Sequence, residues 1–220
     1  IQFFGNTLDS IAFEKAGIIK PAIPVVIGEY LPETKHVFIK KAIETNSEIF
    51  FASDLITQNY TSDLIGDYQV HNKKTVLQTL KVLQDTTTFK IAKTAIQLGF
   101  QNTINNTGLQ GRWQQLGSNP KVVCDTAHNE HGLRIVLNQL KKEDYTQLHI
   151  VLGVVNDKNL DEILPLFPKE AKYYFCKPNI SRGLDTFILY KKATEFGLKG
   201  EIYNSVSKAY SIAKENAAAT

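Results

Sequence analysis

The sequence has no methionine, one tryptophan and only two cysteines in 220 residues. Cys124 and Cys176 stand far apart without C-x-x-C spacing. They are too few for a disulfide framework and wrongly spaced for a structural metal, which fits a reducing cytoplasm. Long apolar runs are also missing. The longest are strand-sized, far short of the ~20 residues of a membrane-spanning helix, and no signal-peptide pattern opens the chain, so no membrane partner is expected. Charge of one sign is scarce. Against 25 Lys and Arg stand 22 Asp and Glu, a net of +3, with no dense basic run among aromatics, so no nucleic-acid partner is expected. The phosphate-cradling pattern G-x-x-x-x-G-K-[ST] occurs nowhere. The chain opens on Ile1 in mid-pattern and stops just after a helical stretch, and the expectation is a piece of a larger enzyme.

What is present is globular. A 43% hydrophobic content suffices for one large core, or for one domain and part of another. Asn6 or Thr7 can cap a helix running to about Lys15; "PVVIG" reads as a buried strand, 32–46 as a helix opened by Pro32, and "EIFFAS" as a second strand. That is β-α alternation, hence parallel sheet. Asn59 to Val70 is polar with scattered Tyr and Ile and reads as irregular or antiparallel; 72–83 and 89–98 read as helices. "NNTGLQG" is the best linker, and a domain boundary is placed near Thr107. Beyond it the order is "KVVCD" strand, "NEHGLRIVLNQLKK" helix, "LHIVLGVV" strand, "LDEILPLF" helix, "KYYFCKP" strand, "DTFILYKKATEFG" helix, a short strand about Glu201 to Tyr203 and a helix from Val206. Strands that are continuous apolar runs point to helices on both faces of a parallel sheet. The fold class is α/β with a doubly wound, Rossmann-like second domain.

In such sheets ligands sit outside the carboxyl ends of the strands. Asp125, His128 and Asn129 follow the first strand of this domain, Asn156, Asp157 and Lys158 the second, Lys177 and Arg182 the third. Taken singly each group reads as an ordinary polar loop, and Asp125 or Asn129 as a helix cap. Three successive strands ending in carboxylate, imidazole and cation argue for a site, with its ligand open.

"LQGRWQQL" followed by "VVCDTAHNEHGL" resembles the G-R-[FW] and D-x-A-H-N-P segments of folylpolyglutamate synthases and dihydrofolate synthases, members of the Mur ligase superfamily. Thr7 to Lys20 is similar to that family's T-L-x-x-I-A-x-E-K-A-G-I-x-K, "DYQVHNKKTVL" to its Gln-x-x-Asn element and "GVVNDKN" to its D-K-[DN] turn. Order and spacing agree over nearly the whole chain. The departure is Glu130 where the family usually has Pro; at the first turn of a helix Pro is favoured but not required, and Glu suits the dipole.

The resemblance implies an ATP-dependent ligase that adds L-glutamate to a folate, to dihydropteroate, or to both, through an acyl phosphate. ATP and Mg2+ are the implied cofactors, the partners are small-molecule substrates, and the enzyme is a cytoplasmic monomer. Residues 1–107 would be the C-terminal part of the central P-loop ATPase domain, and 108–220 the C-terminal Rossmann-like glutamate-ligase domain without its last strand. The P-loop is expected upstream of Ile1, and the isolated chain is expected to be inactive.

Site residues carry over one by one. Asn72 matches the asparagine of the adenine region, and is otherwise an N-cap. Arg112 matches an arginine that reaches the ATP phosphates across the domain interface, and is otherwise an exposed strand residue. Asp125 matches the carboxylate holding the ribose or a bridging water. His128 matches the histidine near the incoming glutamate, and is otherwise structural. Lys15 matches a lysine that is carboxylated on its amine, giving a carbamate anion near magnesium and the acyl phosphate. A protonated amine, with pKa near ~10.4, does not react with carbon dioxide, so such a site must depress that pKa. The metal-binding histidine is expected before Ile1, with no metal ligand set inside the chain. Asp157, Lys158 and Arg182 match frequent positions without an assigned role. Two other readings stay open: a Mur-type ligase acting on a peptidoglycan precursor or poly-amino acid, against which the E-K-A-G-I stretch argues, and a non-enzymatic nucleotide-binding domain.

Overall fold

The structure, a computed structural model, describes residues 7–218. These fall into two compact units, one of residues up to Asp63 with Tyr68–Gly108, the other of Leu64–Asp67 with the residues from Leu109 on.

The first unit contains helix α1 (Leu8–Ala16), strand β1 (Val25–Ile27), helix α2 (Lys35–Glu44), strand β2 (Ile49–Phe51) and helices α3 (Ala52–Leu55), α4 (Gln69–Thr86), α5 (Lys93–Gln101) and α6 (Thr103–Thr107). Thr7 caps α1: its hydroxyl accepts from the Ser10 amide while the Ser10 hydroxyl accepts from the Thr7 amide, satisfying two orphan donors reciprocally. The alternative cap, Asn6, lies outside the described residues. Ala12 and Ala16, small enough for close approach, bury against Phe38 of α2. β1 and β2 pair in parallel, Val25 opposite Ile49. The polar stretch 56–63 is irregular, and α4 begins three residues earlier than its pattern indicates. Two of the linker asparagines, Asn105 and Asn106, are helical in α6, which Gly108 ends at φ +66.

The second unit opens on a hairpin. β3 (Gln114–Ser118) runs antiparallel to β4 (Lys121–Cys124), with a bulge between Gln115 and Gly117. This corrects the expectation that "KVVCD" leads the parallel sheet: its partner is its own neighbour, because Asn119–Pro120 turns the chain straight back. Then follow α7 (Glu130–Leu140), β5 (His149–Leu152), α8 (Leu160–Ile163), β6 (Lys172–Cys176), α9 (Thr186–Glu195), β7 (Lys199–Tyr203) and α10 (Val206–Ala218). α8 is short because Pro165, which lacks an amide proton, turns the next residues into a 3-10 helix.

β5, β6 and β7 form a parallel sheet in that order. Successive side chains of a strand point to opposite faces. On β6, Tyr173 and Phe175 join Leu133 and Leu137 of α7 and Leu189 and Ala193 of α9, whereas Tyr174 and Cys176 join Ala209 and Ala213 of α10. Helices therefore cover both faces, and "YYFC" has no polar side to show. This is the expected doubly wound α/β arrangement.

Residues 64–67 pack with this second unit. Gln139 of α7, 7% exposed, accepts from the Asp67 amide at 2.7 Å and donates to the Ile65 carbonyl at 3.4 Å, as a neighbouring strand would.

The face toward α10 carries a polar cluster. Tyr174 Oη accepts from Asn216 Nδ2 at 3.0 Å and lies 2.8 Å from His149 Nδ1. His149 Nε2 is buried with no hydrogen-bond partner among the described residues. Burial, then the Lys172 charge, push this imidazole below its ordinary pKa of about 6.5. With the folded pKa below the unfolded one, the unfolded chain binds the proton first, so stability is full above about pH 6.5 and falls as pH drops through that value. The unfolding midpoint should decline from pH 7.5 to 5, and His149→Gln should flatten that decline. An unchanged slope in the variant rules out His149 as its source.

Candidate functional site

The entry to β3 and the exit from β4 are tied together in one turn. Gly111 has φ +70, and a Cβ there would stand 2.4 Å from Thr126 Cγ2, so both backbone and space require glycine. Its carbonyl accepts the amide and the hydroxyl of Thr126, each at 3.0 Å. That hydroxyl in turn accepts from Arg112 Nη1. Asp125 uses its carboxylate on the backbone: Oδ2 accepts from the Trp113 amide at 2.7 Å and Oδ1 from the Ala127 amide at 2.8 Å. Trp113 is 3% exposed with φ +49, a left-handed conformation that costs a bulky residue on the order of 1–3 kcal/mol. Burial of its indole and the Asp125 bond hold it there.

His128 is exposed, with Nδ1 3.0 Å from the Thr126 carbonyl. A carbonyl only accepts, so Nδ1 carries the proton and Nε2 of the neutral ring is left as an acceptor. Asn129 caps α7 by accepting from the Gly132 amide at 2.8 Å, and Glu130, in the first turn, pairs with Arg134 at 2.7 Å. At the carboxyl end of β5 lies a cavity of about 150 Å3, apolar through Leu133, Leu152 and Pro178, with His128 and Lys158 as its polar lining. Asp157 and Arg182 form an exposed ion pair at 3.6 Å.

The structure thus brings Arg112, Asp125 and His128 to one turn and places Lys158 on the same small cavity as His128. The residues missed in the sequence are Thr126 and Trp113. A hydroxyl residue between two candidate site residues was the available signal for Thr126; the backbone conformation of Trp113 leaves none.

Lys15 and Asn72 belong to the first unit. Lys15 sits exposed in the last turn of α1 with no ion-pair partner among the described residues. Asn72 is no N-cap, since α4 starts at Gln69; its Nδ2 donates to Gln69 Oε1 at 2.9 Å. A larger, open polar cavity of about 420 Å3, lined by Tyr60, Lys93 and Gln97 among others, includes none of the candidate residues.

Chemically, an exposed guanidinium held against a turn suits phosphate oxygens, and an imidazole with an ammonium at a small apolar cavity suits a compact carboxylate. A metal fits less well: among the described residues no group of three or more His, Cys, Asp or Glu could hold one. Both thiols are free, and burial pushes that of Cys176 up to about 11, so it is no ready nucleophile. No helix among the described residues is long and apolar enough to cross a membrane.

Residues 111–220 match the family described as "Mur ligase, glutamate ligase domain". The folylpolyglutamate synthase of Lacticaseibacillus casei is 28% identical over 180 residues, covering 72% of this chain and 41% of the relative. The dihydrofolate synthase/folylpolyglutamate synthase of Escherichia coli is 24% identical over 235 residues, covering 99% of this chain and 52% of the relative. Among solved structures, Mycobacterium tuberculosis folylpolyglutamate synthase complexed with ADP and AMPPCP superposes with a TM-score of 0.83 at 23% identity, over 98% of this chain and 54% of that one. The chain spans about half the length, or less, of these proteins.

Proposed function

Since the chain belongs to the Mur ligase, glutamate ligase domain family, we propose that it serves an ATP-dependent ligase that adds L-glutamate to a folate, to dihydropteroate, or to both. The γ-phosphoryl group passes to the substrate carboxylate, giving an acyl phosphate and ADP. The glutamate amine then attacks the acyl carbon, phosphate leaves, and the amine loses a proton.

One observation supports this reading most: Arg112, Asp125 and His128 converge on a single turn inside the residues that match the family. Arg112 is assigned to the charge on the phosphoryl group, where a fixed guanidinium acts electrostatically. His128 and Lys158 are assigned to the incoming glutamate. Asp125 keeps a nucleotide-contacting role as a proposal beside its bonds to the turn. Asn72 is assigned to the adenine region and Lys15 to the carbamate. Magnesium would neutralise phosphate charge when bound, but the described residues do not form its site. Residues 1–107 are assigned to the end of an ATPase domain and 108–220 to the ligase domain, in a cytoplasmic enzyme consistent with its free thiols.

The test is glutamate ligation by the full-length gene product, with a folate, dihydropteroate and a nucleotide-linked muramyl substrate offered in parallel. Turnover of the muramyl substrate, or of none, would sink the reading. In the same assay Lys15→Ala is expected to lower turnover at least about tenfold, with acetate restoring part of it by supplying the missing negative charge. Full activity in that variant would return Lys15 to the solvated helix residues.

A further inference from the structure

We infer that Thr126 is the positioning residue for Arg112, a role that rests on the assignment of Arg112 to the phosphoryl group. The hydroxyl of threonine has one proton and two lone pairs. Here the proton goes to the Gly111 carbonyl at 3.0 Å, so only lone pairs are left to face Arg112 Nη1, which donates to them. The direction of the chain from guanidinium to hydroxyl to carbonyl is therefore set by the backbone. The rotamer is set as well. Thr126 Cγ2 fills the space over Gly111 where a Cβ would stand 2.4 Å away, and the Thr126 amide is pinned to the same carbonyl at 3.0 Å. With methyl, hydroxyl and amide all engaged, the side chain has one seat. Arg112 is exposed, its other hydrogen bond among the described residues goes to the Gly111 carbonyl at 3.4 Å, and it is ordered through Thr126.

An arginine swinging freely from a surface turn samples many rotamers, and ordering it during the reaction raises the barrier. Thr126 removes that step in advance. Because the same residue's carbonyl meets His128 Nδ1, it fixes the two side chains relative to one another.

Two experiments test this independently of each other. In the full-length protein, Thr126→Val keeps the branched shape and deletes the hydroxyl; kcat for glutamate ligation should fall about tenfold while KM for ATP changes less than about threefold, and Thr126→Ser should recover most of the loss. Equal kcat in wild type and Thr126→Val, or a loss that tracks a lowered unfolding temperature and is not recovered by serine, overturns the inference. In the chain described, side-chain 15N NMR should show hindered guanidinium rotation for Arg112 in the wild type and averaged rotation in Thr126→Val. Free rotation in the wild type overturns the inference without any variant. Should the wild-type protein ligate no glutamate, the proposed function fails, and the NMR result still decides the role of Thr126.

Discussion

Replacing Arg112 with alanine in the full-length protein is expected to lower kcat for glutamate ligation by about two to three orders of magnitude, with kcat/KM falling in parallel. The guanidinium is exposed, and its hydrogen bonds run to Thr126 and Gly111 of its own turn, so little of the core depends on it. Under the proposed assignment it acts on charge that builds as the phosphoryl group is transferred, so its effect falls on the transition state. The unfolding temperature should therefore stay within about two degrees of wild type, in keeping with a surface substitution. Arg112→Lys should recover little, because an ammonium cannot reproduce the forked geometry with which a guanidinium held by the Thr126 hydroxyl would also meet a phosphate oxygen. Wild-type kcat in the alanine variant, or a loss that follows a drop in stability, would make Arg112 a structural residue of the hairpin and remove the main support for the proposed chemistry.

Asp125 behaves differently, and the difference shows what a sequence can and cannot disclose. The residue stands out in the sequence as a candidate because it ends an apolar strand with a histidine and an asparagine close behind it. Its use was not: both oxygens take backbone amides, from Trp113 twelve residues before it and Ala127 two after. Which donors a carboxylate meets is a matter of loop conformation, and loop conformation has no periodicity to read. The same limit hid β3. Gln114, Gln115 and Ser118 are polar, and Leu116 is half exposed, so no alternation marks the segment; it is a strand because β4 pairs with it. Residues 64–67 were read with the first half of the chain since nothing near them in sequence says otherwise. Their anchor, Gln139, is 72 positions from Asp67. By contrast, β6 and α7 were plain from their residues. An apolar run with both faces buried, and an apolar stripe entered through an asparagine cap, each carry their packing in the local pattern.

The sheet of the second unit offers the most demanding check on the fold. Gly200 of β7 is expected to tolerate no side chain, and Gly200→Ala should destabilise this unit by about 3 kcal/mol or more. Opposite Gly200 on β6 stands Tyr173, and a Cβ at 200 would lie 2.0 Å from its carbonyl oxygen and 2.6 Å from its carbonyl carbon. These are backbone atoms of a central strand, held on the other side by the pairing with Ile150, and the Tyr173 side chain is 1% exposed against Phe175 and Phe167. Neither strand can yield without breaking a ladder or opening the core. The midpoint of thermal unfolding, followed by far-UV circular dichroism, should drop by about ten degrees or more. Gly99 supplies the control of opposite sign. It lies in helix α5 with nothing within 4 Å of its would-be Cβ, so Gly99→Ala should stabilise by about 0.5–1 kcal/mol through helix propensity. If Gly200→Ala unfolds within about two degrees of wild type, the register of β6 against β7 is wrong, and with it the placing of the strand ends from which the carboxyl edge of this sheet is built.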